Sequence, residues 1–479
     1  MDPLSGIRLQ LCVLGLVRFT EAIAWSSMIP YTYAMMRQFD VPEHDIAFYA
    51  GALVTVLTSG EFLTGPIWTR VGDKIGRKPT LLFGIFCGLI TSLTLGLSQS
   101  FTVVIVSRAL AGLLNPNAGL VQTCTEELAR EEQRHEAFTL VIYIRSLGGV
   151  LGPILGGFLA YPTFSYPSTF SQNSLWADYP HLLPNLAVCL LHVVTFILAA
   201  RIVEETHPKM PAQQFAGLSV SQILKKLLIA LGRTNNAAHV PVPEDLADSE
   251  AQENTTKKVS DSPFTFLVIL QILAVSLLAL HHAASDSLMV AFLALGSVAE
   301  RADEPGPRSM SSPQATTEFC LTPPMIGLVL CMEAMFRVFI HPDGILSVVS
   351  TLGARRAFRL VLGLYPAMYI FTPFLPRLPT RPMVWLLAFD MWIKLGLSSI
   401  GYMSSTVLIT KISPSSQALA KINGAAASFV WLAKSLGPLF IGKVYAAGFH
   451  TGYPQIPFWT LGAVALVGAV VSAFLVDHP

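Results

Sequence analysis

Long apolar runs recur along the whole chain, and no other feature narrows its possible folds so far. A hydrocarbon core about 30 Å thick is crossed by roughly 20 apolar residues, and only a helix satisfies every backbone N–H and C=O inside one such segment. Twelve runs qualify, near residues 9–35, 46–68, 79–98, 101–124, 137–160, 183–203, 264–294, 323–345, 360–376, 382–407, 417–447 and 457–476. The sequence therefore predicts an all-α membrane protein with twelve transmembrane helices.

Composition agrees. Of 479 residues 52% are hydrophobic and 13% charged, whereas a soluble domain carries about 25% charged residues. A net charge of +1 and the lack of a long basic tract exclude nucleic acid as a partner. The cysteines (Cys12, Cys87, Cys124, Cys189, Cys320, Cys331) stand singly, mostly within apolar runs, and read as small core residues. Neither a disulfide frame, a metal site nor a cofactor is expected. The first apolar run is too long for a cleavable leader and holds Arg18 and Glu21.

The runs fall into two sets of six. Residues 1–203 and 264–479 are expected to form one six-helix bundle each, joined by a linker over 204–263. The later linker, PEDLADSEAQENTTKKVSDS, is polar, free of aromatics and expected to be disordered. Its earlier part, VSQILKKLLIALGR, has helical apolar spacing with Lys225, Lys226 and Arg233, and reads either as an interfacial helix or as a solvated one. With the amino terminus in the cytoplasm, that side holds seventeen Lys and Arg against five opposite, so both termini are expected inside. The sequon at Asn254 then lies on the cytoplasmic side. Traces of repetition link the sets: Gly76-Arg77-Lys78 with Gly353-Ala354-Arg355-Arg356, and Gly148-x3-Gly152-Pro153 with Ala433-x3-Gly437-Pro438. Such internal repeats are common in transporters.

The connection GPIWTRVGDKIGRKP, Gly65 to Pro79, is the most informative local feature. A tight turn between antiparallel helices needs Gly72 and Gly76 for close approach and unusual dihedrals. Arg77 and Lys78 hold the turn in the cytoplasm. Asp73 exceeds what a topogenic turn requires, and its charge suits the positive amino-terminal end of a neighbouring helix.

Gly65-x7-Asp73-x2-Gly76-Arg77-Lys78 resembles the signature loop of major facilitator superfamily transporters. Arg108-x3-Gly112 is similar to that family's intramembrane arginine motif, and Gly148-x3-Gly152-Pro153-x2-Gly156-Gly157 to the motif of its proton-driven antiporters. The glycines at i, i+4 and i+8 leave one helix face without bulk. That face serves helix contact alone or contact that also bears on transport. Arg18-Phe19-Thr20-Glu21, Leu183-Pro184-Asn185 and Ile422-Asn423-Gly424 are similar to the zinc-induced-facilitator-like branch and its fungal relatives. Plant members carry an amino-terminal cysteine pair and a histidine-bearing linker; this chain has neither pair nor more than Glu205-Thr206-His207. The resemblance implies the major facilitator fold and a cytoplasmic latch of Arg77 with Glu126 and of Asp73 with the start of the eleventh span.

A charge at mid-membrane costs about 3 kcal/mol or more and faces a partner or a wet cavity. The candidates among the ionisable residues within the runs are Arg18, Glu21, Glu61, Arg108, Arg145, His281, Asp286, Glu333, Arg337, Asp390, Lys394 and Lys434. Glu21 is the first candidate for proton coupling, with Arg18 beside it and Arg108 tuning it by opposite charge; His281 and Asp286 are next. The sequence contains no His-Glu-x-x-His or Gly-x-Ser-x-Gly array within its spans, so an enzyme is not expected. The expectation is a secondary transporter, monomeric, working by alternating access, in which proton antiport exports a small organic compound across the plasma membrane or the vacuolar membrane. The alternatives are a carrier of metal ions or chelates and a non-transporting sensor.

Overall fold

The computed structural model describes residues 3–171, 174–207, 264–294, 321–340, 342–377, 380–413, 416–451, 453 and 455–475. The stretch VSQILKKLLIALGR, the polar segment after it and the Asn254 sequon lie outside the described residues. Helices stand at every one of the apolar runs, and no strand occurs among the described residues. In chain order they are α1 (Pro3–Ser26), α2 (Thr32–Gln38), α3 (Ile46–Ile75), α4 (Arg77–Gly96), α5 (Phe101–Leu113), α6 (Asn117–Leu128), α7 (Arg134–Leu159), α8 (Pro162–Ser165), α9 (Leu175–Asp178) and α10 (Leu182–Ile202). After the linker come α11 (Phe266–Ala294), α12 (Pro323–Phe339), α13 (Pro342–Leu352), α14 (Ala354–Phe371), α15 (Thr380–Ile412), α16 (Ser416–Thr451) and α17 (Ile456–Ala473). Among the described residues nine helical stretches are long and apolar enough to cross a bilayer, ten if the bent pair α12 and α13 is one span.

Hydroxyl side chains inside the spans bond back to the carbonyl four residues earlier, as Thr20 does to Leu16, Thr91 to Cys87 and Thr125 to Val121. Each polar group is thereby satisfied without leaving its own helix. The run predicted over 101–124 is in fact two helices, because Pro116 has no N–H to continue α5. Gly76 and Gly353 start α4 and α14 with φ of +106° and +80°, a backbone region that favours glycine. The two basic turns that pair in the sequence thus share one backbone device.

Helices α1 to α10 pack chiefly on each other, most closely α1 on α7, α4 on α10 and α3 on α5. Helices α11 to α17 do likewise, through α11 on α16 and α14 on α17. The two groups meet where α3 crosses α16 and α7 crosses α12. Up-and-down connection puts the Gly72–Lys78 turn, Arg134 and Arg355–Arg359 at one end, here the basic end, with Glu43–Asp45 and Tyr161–His181 at the other.

Candidate functional site

The two groups of helices touch along the half remote from the basic end. A Cβ on Gly51 would stand 2.7 Å from the Pro438 backbone carbon, and one on Gly442 2.5 Å from the Phe48 Cα. Thr55 Oγ1 donates to the Ser435 carbonyl at 2.6 Å, the Ser59 and Ser435 hydroxyls lie 2.6 Å apart, and Lys443 sits 3.9 Å over the Phe48 ring. On the other seam a Gly157 Cβ would meet the Pro323 carbonyl at 2.6 Å. Towards the basic end this intimacy ends. Gly65 on α3 and Gly424 on α16, beyond the same crossing, have no atom near enough to meet an added Cβ. The interface is sealed at one end and parted at the other.

Charged residues gather in the parted interior. From the first group come Arg18 and Glu21, ion-paired one turn apart on α1, Glu61 on α3 and Arg145 on α7. Asn115, at the break between α5 and α6, donates to Glu61 at 2.8 Å. From the second group come His282 and Asp286 on α11 (3.6 Å), Glu333 and Arg337 on α12 (3.0 Å), and Lys434 on α16. Arg145 lies within electrostatic reach of Arg18, Glu21, Glu61 and, across the interface, Arg337. The Asp286 side chain is 53% accessible and that of Arg337 55%. Charges so deep and yet reachable by water line a chamber. A cleft of that chamber is lined by His282, Ser285, Asp286, Met289, Glu333, Met391 and Lys394.

Two expected cavity residues stand elsewhere. His281 is wholly buried, its Nδ1 3.0 Å from the Tyr369 hydroxyl, between the rings of Tyr365 and Tyr369. Successive residues on a helix point about 100° apart, so His282 takes the chamber side and His281 the core. Arg108 is also buried, with Tyr31 as its electrostatic neighbour rather than Glu21. Tyr31 accepts a bond from Asn185 Nδ2 at 3.1 Å and stacks on His181 at 5.2 Å. Arg108 thus joins a polar cluster towards the sealed end, and Arg18 is the partner of Glu21. The Asp390–Lys394 pair, 2.7 Å apart, closes on Thr372 inside the second group.

At the basic end Arg77 pairs with Asp73 at 2.8 Å and with Glu127 at 3.2 Å. Glu126, the expected partner, faces Arg134 at 3.7 Å instead, because adjacent positions on α6 look in different directions. Asp73 is committed to Arg77 rather than to α16. The carboxylate of Glu205 accepts the backbone N–H of Arg77 at 2.8 Å and of Lys78 at 3.2 Å. It caps the positive amino-terminal end of α4. Thr206 adds a bond to Glu127 at 2.6 Å. On α7, Gly148 and Gly152 press against α1 at Phe19 and Ser26 and Gly156 against Ser27 just after it, while Gly157 and the Pro153 carbonyl meet α12 at Pro323 and Gly327. One glycine face therefore serves packing within a group, and its edge serves the seam.

Of the residues that build this arrangement, Asn115, Glu127, Glu205 and His282 are given no site role by the sequence. Asn-Pro at 115–116 is a recognisable break signal. Glu127 and His282 each differ from the chosen residue by one position. Glu205 reaches a helix start 128 residues earlier in the chain, for which no local pattern exists.

Residues 14–297 match the Major Facilitator Superfamily. The "Major facilitator superfamily multidrug transporter mfsB" of Aspergillus fumigatus is 31% identical over 97% of this chain and 83% of its own length. "Protein ZINC INDUCED FACILITATOR-LIKE 1" of Arabidopsis thaliana is 33% identical, but over 41% of this chain and 42% of its own. Among solved structures, that of a D-xylose-proton symporter superposes with a TM-score of 0.63, covering 99% of this chain and 98% of that one at 13% identity, which is a likeness of fold. Fold, sequence and the parted two-group interior agree: this chain belongs to the major facilitator superfamily, an integral membrane transporter with zinc-induced-facilitator-like and fungal relatives.

Proposed function

We propose that this transporter exports a small organic compound by proton-coupled antiport, residues 1–203 and 264–479 rocking as two bodies about the mid-membrane chamber. The observation that carries the reading is the set of ionisable side chains that both groups contribute to one interior, beside an interface that is tightly packed at the end remote from the basic turns. Charges of this kind in a dry interior would be paired and closed. Placing the basic end in the cytoplasm follows the Lys and Arg asymmetry of the loops, and makes the described state inward-facing. The multidrug name of the fungal relative supports an organic cargo.

We assign proton coupling to Asp286 ahead of Glu21. Asp286 is open to water and its one ion-pair partner is His282, with Arg337, Lys434 and Lys394 in electrostatic reach but beyond bonding distance, whereas Glu21 is held by Arg18. A carboxylate free of a fixed cation can change charge between the two states of the cycle without breaking a pair. In proteoliposomes under an imposed pH gradient, Asp286→Asn should reduce proton-driven flux of a transported drug to the protein-free background, while exchange without a gradient persists. Undiminished proton-driven flux in that variant removes Asp286 from the role, and Glu21→Gln then tests its alternative.

A further inference from the structure

Three of the charged pairs in and around the chamber are closed within one group of helices: Arg18 with Glu21, Arg337 with Glu333 and Lys394 with Asp390. Two cations remain outside this pairing. Among the described residues no carboxylate comes within ion-pair distance of Arg145 or Lys434. The carboxylates in electrostatic reach of Arg145 are Glu21 and Glu61, which Arg18 and Asn115 already hold. For Lys434 it is Asp286, which has His282. Arg145 belongs to α7 and Lys434 to α16, so the two cations belong to opposite groups, close enough to repel one another. Lys434 also lies over aromatic faces, 4.7 Å from the centre of the Tyr402 ring and 5.6 Å from that of Trp431.

Resting on the transporter reading above, we propose that the chamber selects aromatic compounds bearing an anionic group, the anion seated between Arg145 and Lys434 and the ring against Trp431 and Tyr402. The geometry gives the anion a second effect. Closing the basic end brings the two groups of helices together and drives the two cations towards each other. In the empty chamber that step meets repulsion, and with an anion between them repulsion becomes two attractions. A guanidinium with five donors and an ammonium on a flexible stem suit a planar carboxylate. Trp431 supplies an exposed aromatic face for the apolar body, and Tyr402 a half-buried one.

The test uses the full-length protein in nanodiscs and three probes of one shape: 2-naphthoate, 2-naphthamide and 2-naphthylmethylamine. Calorimetric titration should show naphthoate binding about tenfold or more tighter than naphthamide, the scale of one charge-assisted hydrogen bond. Arg145→Gln and Lys434→Gln should each erase that preference, while Arg145→Lys and Lys434→Arg keep most of it. Equal binding of naphthoate and naphthamide, a preference for the amine, no binding of naphthoate, or an unchanged preference in both Gln variants overturns the inference. The two readings fail separately. Flux of the neutral probe driven by a proton gradient, without anion preference, would sink this inference and leave the antiporter standing. Cation-dependent naphthoate binding without any gradient-driven flux would do the reverse.

Discussion

His181 stands one residue before α10, almost fully enclosed, between the rings of Tyr31 and Tyr161, with neither ring nitrogen hydrogen-bonded. Burial pushes its pKa down to about 3, so the folded protein holds it neutral. In the unfolded chain it takes a proton near pH 6.5. The stability from the neutral ring is therefore complete above that pH and falls as the pH drops towards the folded value, by about 1.4 kcal/mol per unit. Thermal unfolding in nanodiscs should show a melting temperature that declines below about pH 6.5, and His181→Phe should flatten the decline by keeping the stack without the base. Parallel slopes for the two proteins would mean that His181 does not set the acid limit. At this scale the sequence reveals which residue types are out of place in lipid but not which way each looks. Glu126 and Glu127, or His281 and His282, are equivalent to a hydropathy reading; a turn of about 100° gives one the functional surroundings and the other a bystander's.

On α7 adjacent glycines serve two different contacts. Gly156 presses on the Ser27 backbone beyond α1, in its own group, and Gly157 on Pro323 of α12, across the seam. A side chain at 156 has no relief short of separating helices that travel together, so Gly156→Val should lower stability by about 1–3 kcal/mol, as overpacking does. At 157 the clash is relieved when the seam opens. Gly157→Val should keep a near-native melting temperature and raise the labelling of a cysteine placed at Ser59 by an impermeant reagent from the sealed end. A variant that simply melts early, with no added labelling, would show that seam to be static. The elements themselves were largely legible. Every apolar run became helical, because lipid permits no other solution for its backbone. The break at Asn115–Pro116 and the Glu205 cap were not read, the first because hydropathy runs straight through it, the second because it joins distant parts of the chain.

For the molecule as a whole, one seam is closed and its continuation is open, and the charged residues lie where the two meet. The signature turn fits this state: Asp73, Arg77, Glu127 and Glu205 bond within the first group. Two bodies that rock about a fixed centre exchange the open and closed ends. The measurement that bears most directly on this is the pair of distances between spin labels, one pair at Gly65 and Gly424, the other at His44 and His450, in the reconstituted protein with and without substrate and at two pH values. If the chamber alternates, the first distance shortens whenever the second lengthens, in the same fraction of molecules. Two distances that hold constant under every condition, or that change together, would contradict it.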